Sequence, residues 1–323
     1  MSGNWKQRPE GGGRFAIALI VAIARCFGRR VTRLLLYPIT GYFLLVRGPE
    51  RTASRAFLAR VWGRPATLAE VARHLHTFAS TILDRVFLLG GRMDLFEIEV
   101  RGADALMDRL ALGRGVLLIG SHLGSFDALR VLKRLRGDIA LRVVLDRQHN
   151  PAISQALDAL DPALAAGIID AGQDGASVAL AIKQAVDEGA LVAMLADRAQ
   201  PGEPALRLPF LGQPAPLPTT PWLIAAALRV PVVLAFGLYR GGNRYALSFE
   251  PFSDAVSLPR ERRADQLAEL MRRYLSILQA RVMDAPFNWF NFYDYWQDEG
   301  SNNAPSVPVD AAVRRRTADR RSG

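Results

Sequence analysis

The sequence of 323 residues contains one cysteine, Cys26, and four histidines. A single cysteine excludes a disulfide framework, a thiolate metal site and paired redox chemistry. The histidines include no H-E-x-x-H spacing, so we expect neither a bound metal nor a resident cofactor. The chain also lacks the G-x-S-x-G motif that α/β-hydrolases carry at their nucleophilic serine.

Long hydrophobic runs are also lacking. The apolar stretches 15–24 and 31–46 are both shorter than the roughly 20 residues that a spanning helix needs. A cleavable signal peptide fits poorly because positive charges lie on both sides of the first stretch. The pattern favours two amphipathic helices embedded in one leaflet. A tilted or re-entrant hairpin, and two core helices of a soluble protein, remain alternatives.

Basic residues are unevenly distributed along the chain. The formal net charge is +10, and residues 1–60 contain eleven Lys or Arg against two Glu, so this segment carries nearly the whole excess. Because these charges alternate with apolar residues, they suit an anionic membrane surface better than nucleic acid, for which no binding motif occurs. The same charge would also suit an acidic carrier protein.

The hydrophobic pattern along the chain predicts an α/β fold, with strands beginning at residue 96. Helices are expected at 51–62, 67–89, 126–135, 153–160, 176–188 and 261–282, and strands at 96–100, 115–120, 141–145, 168–169 and 191–195. Their alternation indicates a mostly parallel central sheet flanked by helices, and 231–239 with 245–252 predicts a hairpin closing it. We therefore divide the chain into a basic membrane-associating helical region (1–63), an α/β domain (64–299) and a disordered basic tail (300–323).

The strand at 115–120 leads into the most informative loop. Ser121 and His122 follow the strand, Ser125 is a good N-cap, and Asp127 lies in the first turn of the next helix. Open α/β sheets place their sites at this carboxyl edge. A carboxylate at Asp127 would bind one imidazole nitrogen and leave the other to act as a base. In the ordinary alternative, Asp127 only caps the helix and His122 only fills the loop.

Two further polar segments end at the same predicted edge. Arg147 and Asn150 follow the strand at 141–145, where arginine would suit a phosphate or carboxylate, although N-P is also an ordinary turn. Asp197 and Arg198 follow the strand at 191–195, where they shape a pocket or form an internal ion pair. Downstream, the chain continues through Phe210 and Gly212 into the proline-rich stretch 214–221, which suits an extended wall beside a groove. The aromatic segment 288–296 suits packing across the sheet or against lipid headgroups.

These motifs in this order resemble the lysophospholipid acyltransferase superfamily. The resemblance covers about residues 5–297 and rests on His122-x4-Asp127, Arg147 with Asn150-Pro151, Asp197-Arg198, Phe210-x-Gly212 and the aromatic ending. It is closest to the branch of the late acyltransferases of bacterial lipid A synthesis, and within it to acyltransferases of aryl polyene lipid clusters. Lipid A enzymes often have Glu at the position of Asp127 and Asp-Gln at 197–198, which leaves the acceptor open.

The resemblance implies a fold, a reaction and roles for these residues. His122 would be the general base with Asp127 as its partner, while Arg147, Asn150, Asp197, Arg198, Phe210 and Gly212 would bind substrate. The donor would be an acyl thioester of acyl carrier protein or coenzyme A, and the acceptor a lipid or glycolipid hydroxyl at the cytoplasmic face of the bacterial inner membrane. Alternatives are a lipid A lauroyl or myristoyl transferase, and a thioesterase or lipid hydrolase with the same dyad.

Overall fold

A computed structural model describes residues 14–132, 139–148, 151–200 and 202–296. The predicted tail at 300–323 and the candidate Asn150 lie outside these residues. The helices are α1 Arg14–Thr32, α2 Leu36–Val46, α3 Gly48–Trp62, α4 Leu68–Leu89, α5 Ala103–Ala111, α6 Pro151–Leu160, α7 Pro162–Ala166, α8 Gly175–Asp187, α9 Thr220–Leu228 and α10 Arg263–Asp284.

Nine strands form two sheets in the described part of the chain. They are β1 Glu97–Arg101, β2 Val116–Gly120, β3 Leu141–Leu145, β4 Ile168–Asp170, β5 Leu191–Leu195, β6 Ala205–Phe210, β7 Gln213–Pro218, β8 Val232–Gly241 and β9 Arg244–Ser253. Seven strands form the central sheet in the order β1-β9-β8-β2-β5-β3-β4. Every pair in it is parallel except the hairpin β8–β9, so the predicted mostly parallel sheet is confirmed.

The central sheet separates two hydrophobic layers. Leu117 and Ile119 of β2 belong to one buried cluster, while Val116 and Leu118 belong to the other. Side chains of a strand alternate between the two faces, so a strand buried throughout must be apolar at every position. This explains why β2 and β5 stand out in the sequence as continuous apolar runs.

The helix α4 begins as the sequence predicts. The side chain of Thr67 accepts a hydrogen bond from the backbone of Glu70, and the Glu70 carboxylate accepts one from the backbone of Thr67. This capping box satisfies two backbone donors that the first turn of α4 would otherwise leave unpaired. α4 packs against the start of the helix after β2, and therefore close to the predicted site.

The N-terminal segment is helical, with a kink at Gly28 (φ 73°). In the described residues, no helix is long and apolar enough to cross a membrane. Arg29 forms a two-pronged ion pair with the buried Asp84 of α4 at 2.7 and 2.8 Å, and Arg33 donates hydrogen bonds to Gly242 and Tyr239 of the β8–β9 hairpin. These two arginines therefore attach the N-terminal helices to the α/β domain. Their guanidinium groups bind partners within the protein.

Several elements are missing from the sequence-based prediction. The helices α5, α7 and α9 were not foreseen. The proline-rich stretch 214–221, interpreted as an extended wall, in fact contains most of strand β7 of the antiparallel hairpin β6–β7 and the start of α9. Pro209, Pro214, Pro216 and Pro218 lack the backbone N–H that a sheet interior needs, which argued against strands. A separate sheet of only two strands has two open edges, so these prolines are accommodated.

Candidate active site

His122 and Asp197 extend from neighbouring parallel strands. Gly120 at the end of β2 pairs in register with Leu195 at the end of β5, and each candidate residue lies two positions beyond its strand. The Nδ1 atom of His122 lies 2.8 Å from Asp197 Oδ1, and the backbone N–H of His122 donates to Asp197 Oδ2 at 3.0 Å. The structure therefore joins the predicted His122 loop to the predicted Asp197 loop.

The hydrogen bond to Asp197 sets the tautomer of His122. A carboxylate only accepts, so Nδ1 carries the proton and Nε2 has a free lone pair while the ring is neutral. The Asp197 side chain is fully buried, whereas 39% of the His122 side chain is exposed. The imidazole thus has one nitrogen tied to the protein interior and the other available to a substrate proton.

The charges around the pair favour a neutral imidazole and an ionised carboxylate. Burial and the nearby charge of Arg198 lower the pKa of His122 more than the attraction of Asp197 raises it. Burial alone would raise the pKa of Asp197, but its interactions with His122 and Arg198 outweigh burial and hold this pKa well below its usual range. At neutral pH His122 is therefore ready to accept a proton.

The C-terminal aromatic segment fixes the carboxylate. The indole Nε1 of Trp289 donates to Asp197 Oδ2 at 3.1 Å, and the hydroxyl of Tyr295 donates to the backbone carbonyl of Asp197 at 2.6 Å. Arg198 donates to the carbonyl of Phe290 at 2.5 Å, and the backbone N–H of Phe290 donates to the carbonyl of His122 at 3.2 Å. The aromatic ending therefore packs across the end of the sheet and forms a wall of the site.

A second histidine holds this segment from behind. His74 of α4 is fully buried, and its Nε2 donates to the carbonyl of Trp289 at 3.1 Å. Its Nδ1 therefore accepts the hydrogen bond from the Ser54 hydroxyl, 2.8 Å away. Burial lowers the pKa of His74 to about 4, so the ring is neutral at neutral pH and its two hydrogen bonds give it a structural role.

The loop that carries His122 approaches β8 too closely for side chains. Gly124 has a φ of 80°, and a β-carbon there would lie 2.0 Å from the carbonyl oxygen of Gly237. A β-carbon on Gly237 would lie 2.3 Å from the carbonyl of Ser125. Glycine at both positions lets Ser125 N–H donate to Gly237 at 2.7 Å, which pins the loop to the sheet.

Asp127 has a partner other than the one predicted. Its Oδ2 accepts a hydrogen bond at 2.6 Å from Nε of Arg85, a residue of α4. The carboxylate that binds Nδ1 of His122 is Asp197, so the predicted pairing of His122 with Asp127 is corrected in this structure. The physical reason is the sheet. Asp197 follows the strand next to β2 and lies beside the ring, while Asp127 is the second residue of a 3₁₀ helix, Phe126–Arg130, that packs on α4.

The contacts of the remaining candidates are with residues other than His122. The guanidinium of Arg147 forms an ion pair with Asp158 at 2.7 Å. Phe210 is buried against the aromatic segment, 5.3 Å from the ring of Trp289 and 6.3 Å from that of Tyr295. Gly212 forms the turn between β6 and β7 with a φ of 80°, where a two-residue hairpin requires it. Phe210 and Gly212 therefore help to position the aromatic wall of the site.

Sequence reasoning missed Arg85 as a residue of the site. It lies in α4, which precedes the first strand of the sheet, and no local motif marks it. The individual contacts of Trp289 and Tyr295 were also not foreseen, although the density of aromatic residues at 288–296 was a usable signal.

Comparison with known protein families gives the family of the chain. The sequence model of the bacterial lipid A biosynthesis acyltransferases matches residues 7–298, which include every residue of the site described above. A search of curated proteins found no match to the chain. The chain therefore belongs to the bacterial lipid A biosynthesis acyltransferase family and is an enzyme that transfers acyl groups to lipid.

Proposed function

We propose that the protein is a membrane-associated O-acyltransferase in which His122 is the general base and Asp197 its orienting carboxylate. The donor is an acyl thioester of acyl carrier protein or coenzyme A, and the acceptor is a hydroxyl of a lipid or glycolipid. The main support is the arrangement of His122: its Nδ1 is hydrogen-bonded to the buried Asp197, while the ring remains partly exposed.

The reaction needs only a proton shuttle and a good leaving group. Nε2 of His122 takes the proton of the acceptor hydroxyl as its oxygen attacks the thioester carbonyl carbon. The carbon–oxygen bond forms, the tetrahedral intermediate collapses, and the carbon–sulfur bond breaks. The departing sulfur then takes the proton from His122, so the free thiol, the new ester and the neutral imidazole are restored. The charge of Asp197 stabilises the imidazolium between these steps.

Mass spectrometry of lipids tests this function. The purified protein is incubated with acyl carrier protein thioester, or with acyl coenzyme A, and with bacterial membranes. We expect one lipid to gain the mass of the acyl chain. Release of free fatty acid without any acylated lipid would instead assign the protein to the hydrolases, and no reaction with either donor would contradict the proposal.

Membrane association is supported by the exposed surface of α1 and α2. Seven large apolar side chains between residues 27 and 46 are exposed, although α1 and α2 also pack on α4: Phe27, Val31, Leu34, Tyr37, Tyr42, Leu45 and Val46. Exposed apolar side chains grouped on adjacent helices are typical of a lipid-facing surface. Arg30 on the same segment is exposed and can contact anionic headgroups, whereas Arg29 and Arg33 are held by the domain. We place this surface at the cytoplasmic face of the inner membrane, where acyl thioesters are made.

Substituting three of these residues tests the membrane contact without removing the helices. We expect Phe27→Ser/Leu34→Ser/Leu45→Ser to sediment with phosphatidylglycerol vesicles at least about tenfold less than the wild type, since each loses an apolar side chain from the lipid contact. The matched control is Leu112→Ser/Leu180→Ser, because both leucines are 67% exposed on the α/β domain. Equal sedimentation of the two variants would place the membrane contact elsewhere.

A further inference from the structure

A series of buried hydrogen bonds connects helix α3 to the base. The Ser54 hydroxyl donates to His74 Nδ1 at 2.8 Å, and His74 Nε2 donates to the carbonyl of Trp289 at 3.1 Å. The indole Nε1 of Trp289 donates to Asp197 Oδ2 at 3.1 Å, and Asp197 Oδ1 accepts from His122 Nδ1 at 2.8 Å. The first four residues are fully buried. His122 is therefore the member of the series that a substrate can reach.

Trp289 supplies the hydrogen bond to the Asp197 carboxylate that does not come from the base. In the described part of the chain three N–H groups donate to this carboxylate, and two of them belong to His122. Arg198 Nε lies 3.8 Å from Asp197 Oδ2, which is too far for a hydrogen bond. A carboxylate held by His122 alone would take its orientation from the residue that it has to orient. The indole N–H therefore gives the carboxylate an orientation independent of the base.

The backbone of Trp289 is paired with the loop that carries the base. Trp289 forms an antiparallel bridge with Leu123, the residue that follows His122. Beside this bridge, the backbone N–H of Gly124 donates to the carbonyl of Asn288 at 2.8 Å. The indole and the imidazole thus lie on two paired segments, so their separation is fixed by the backbone.

Packing alone does not account for the polar groups of Trp289 and His74. The Trp289 ring lies 5.0 Å from Phe57 and 5.3 Å from Phe210, which are apolar neighbours that would also suit a phenylalanine. Trp222 gives the contrast, because it is equally buried but its Nε1 has no hydrogen-bond partner in the described part of the chain. Buried polar groups that are fully paired specify one arrangement of the groups around them. The paired N–H of Trp289 therefore indicates a role in holding Asp197.

We propose that Trp289 is a positioning residue of the acyl transfer. Its indole N–H fixes the Asp197 carboxylate so that the proton of His122 stays on Nδ1, and His74 holds the backbone of Trp289 in place. This inference rests on the proposed function and adds to it a residue that acts through Asp197 and not on the substrates. Its loss should therefore lower kcat and leave the binding of donor and acceptor unchanged.

The variant Trp289→Phe tests the proposal, since it keeps an aromatic ring and removes the N–H. We expect kcat to fall at least about tenfold with both KM values unchanged, which is the effect expected when the support of a reactive side chain is lost. Nitrogen NMR of labelled histidine gives the second readout. It should show His122 with its proton on Nδ1 in the wild type, and divided between Nδ1 and Nε2 in the variant.

Trp222→Phe is the matched control. Trp222 is fully buried in the same hydrophobic cluster, with its ring 5.0 Å from that of Tyr274, so the same exchange removes the same volume. The loss of volume should lower the free energy of unfolding of both variants. We expect Trp222→Phe to keep the wild-type kcat and the wild-type tautomer of His122, because no hydrogen bond is lost.

Two variants of His74 test the support behind Trp289. His74→Leu removes the donor to the Trp289 carbonyl, whereas His74→Gln keeps an amide N–H that can replace it. We expect His74→Leu to lower kcat and to divide the His122 tautomers as Trp289→Phe does, and His74→Gln to recover part of both. The same readouts on this pair decide the matter should Trp289→Phe not fold.

Each contrary outcome has a distinct meaning. The inference is overturned if folded Trp289→Phe has the same kcat as Trp222→Phe. It is also overturned if kcat falls while His122 keeps the wild-type tautomer, because packing alone would then explain the loss. Identical tautomers in His74→Leu and the wild type would exclude the part assigned to His74. The tautomer is measured without substrate, so this readout can succeed or fail independently of the mass-spectrometric test of the proposed function.

Discussion

The variant His122→Ala is expected to lose acyl transfer by a factor of about 10²–10⁴, which is the usual contribution of a general base. This factor corresponds to about 3–5 kcal/mol of activation free energy. The deletion removes Nε2, the atom that takes the proton of the acceptor hydroxyl, but leaves the backbone N–H that donates to Asp197. The measurement is the initial rate of transfer from acyl thioester at saturating donor and acceptor.

Two further variants make the result specific to the base. The amide of His122→Asn can still donate to Asp197 Oδ1, so this variant keeps the buried hydrogen bond. It has no basic nitrogen in place of Nε2, so we expect it to be as inactive as His122→Ala. His76→Ala removes a histidine of α4 that contacts Thr40 of α2 at 3.2 Å, and is expected to transfer acyl groups like the wild type. Wild-type rates in folded His122→Asn would exclude His122 as the base.

The strand that leads to His122 could be predicted because a strand buried on both faces must be apolar throughout. β2 and β5 are buried on both faces, so each is a continuous apolar run, and β3 and β5 were placed at their observed ends. The loops that follow parallel strands must end at one edge of the sheet, which correctly brought the loops of His122 and Asp197 to the same edge.

The partner of His122 could not be predicted because it depends on strand order. Asp197 is 75 residues from His122 in the sequence, and only the adjacency of β2 and β5 makes them neighbours. Asp127 was predicted as the partner from its place in the first turn of the next helix and from the resemblance of the H-x4-D motif, but its side chain pairs with Arg85 of α4. With the strand order in hand, the equal offset of His122 and Asp197 from paired residues would have been a sufficient signal.

The variant Asp197→Asn is also expected to lose most of its turnover, because the exchange moves the imidazole proton of His122 to the other nitrogen. Asp197 Oδ2 accepts two fixed donors, the backbone N–H of His122 at 3.0 Å and the indole N–H of Trp289 at 3.1 Å. An asparagine must keep its oxygen at that position, because an NH₂ group there would face both donors. Its NH₂ group then points at Nδ1 of His122 and donates to it, which moves the imidazole proton to Nε2.

An imidazole with its proton on Nε2 has no lone pair for the acceptor hydroxyl. We therefore expect Asp197→Asn to lose about 10³–10⁴ in turnover while it remains folded, in line with the effect of the same exchange in a serine protease triad. Nitrogen NMR of labelled histidine should show the His122 proton on Nδ1 in the wild type and on Nε2 in the variant. Asp158→Asn, which breaks only the exposed pair with Arg147, is the matched control and should change neither readout. The pH profile gives a third readout. The charge of Asp197 raises the pKa of His122, so in Asp197→Asn the residual activity should persist to lower pH than in the wild type.

Replacing a merely structural aspartate would change neither the tautomer of His122 nor the pH profile. Turnover, tautomer and pH profile together therefore distinguish an orienting carboxylate from a buried hydrogen-bond acceptor.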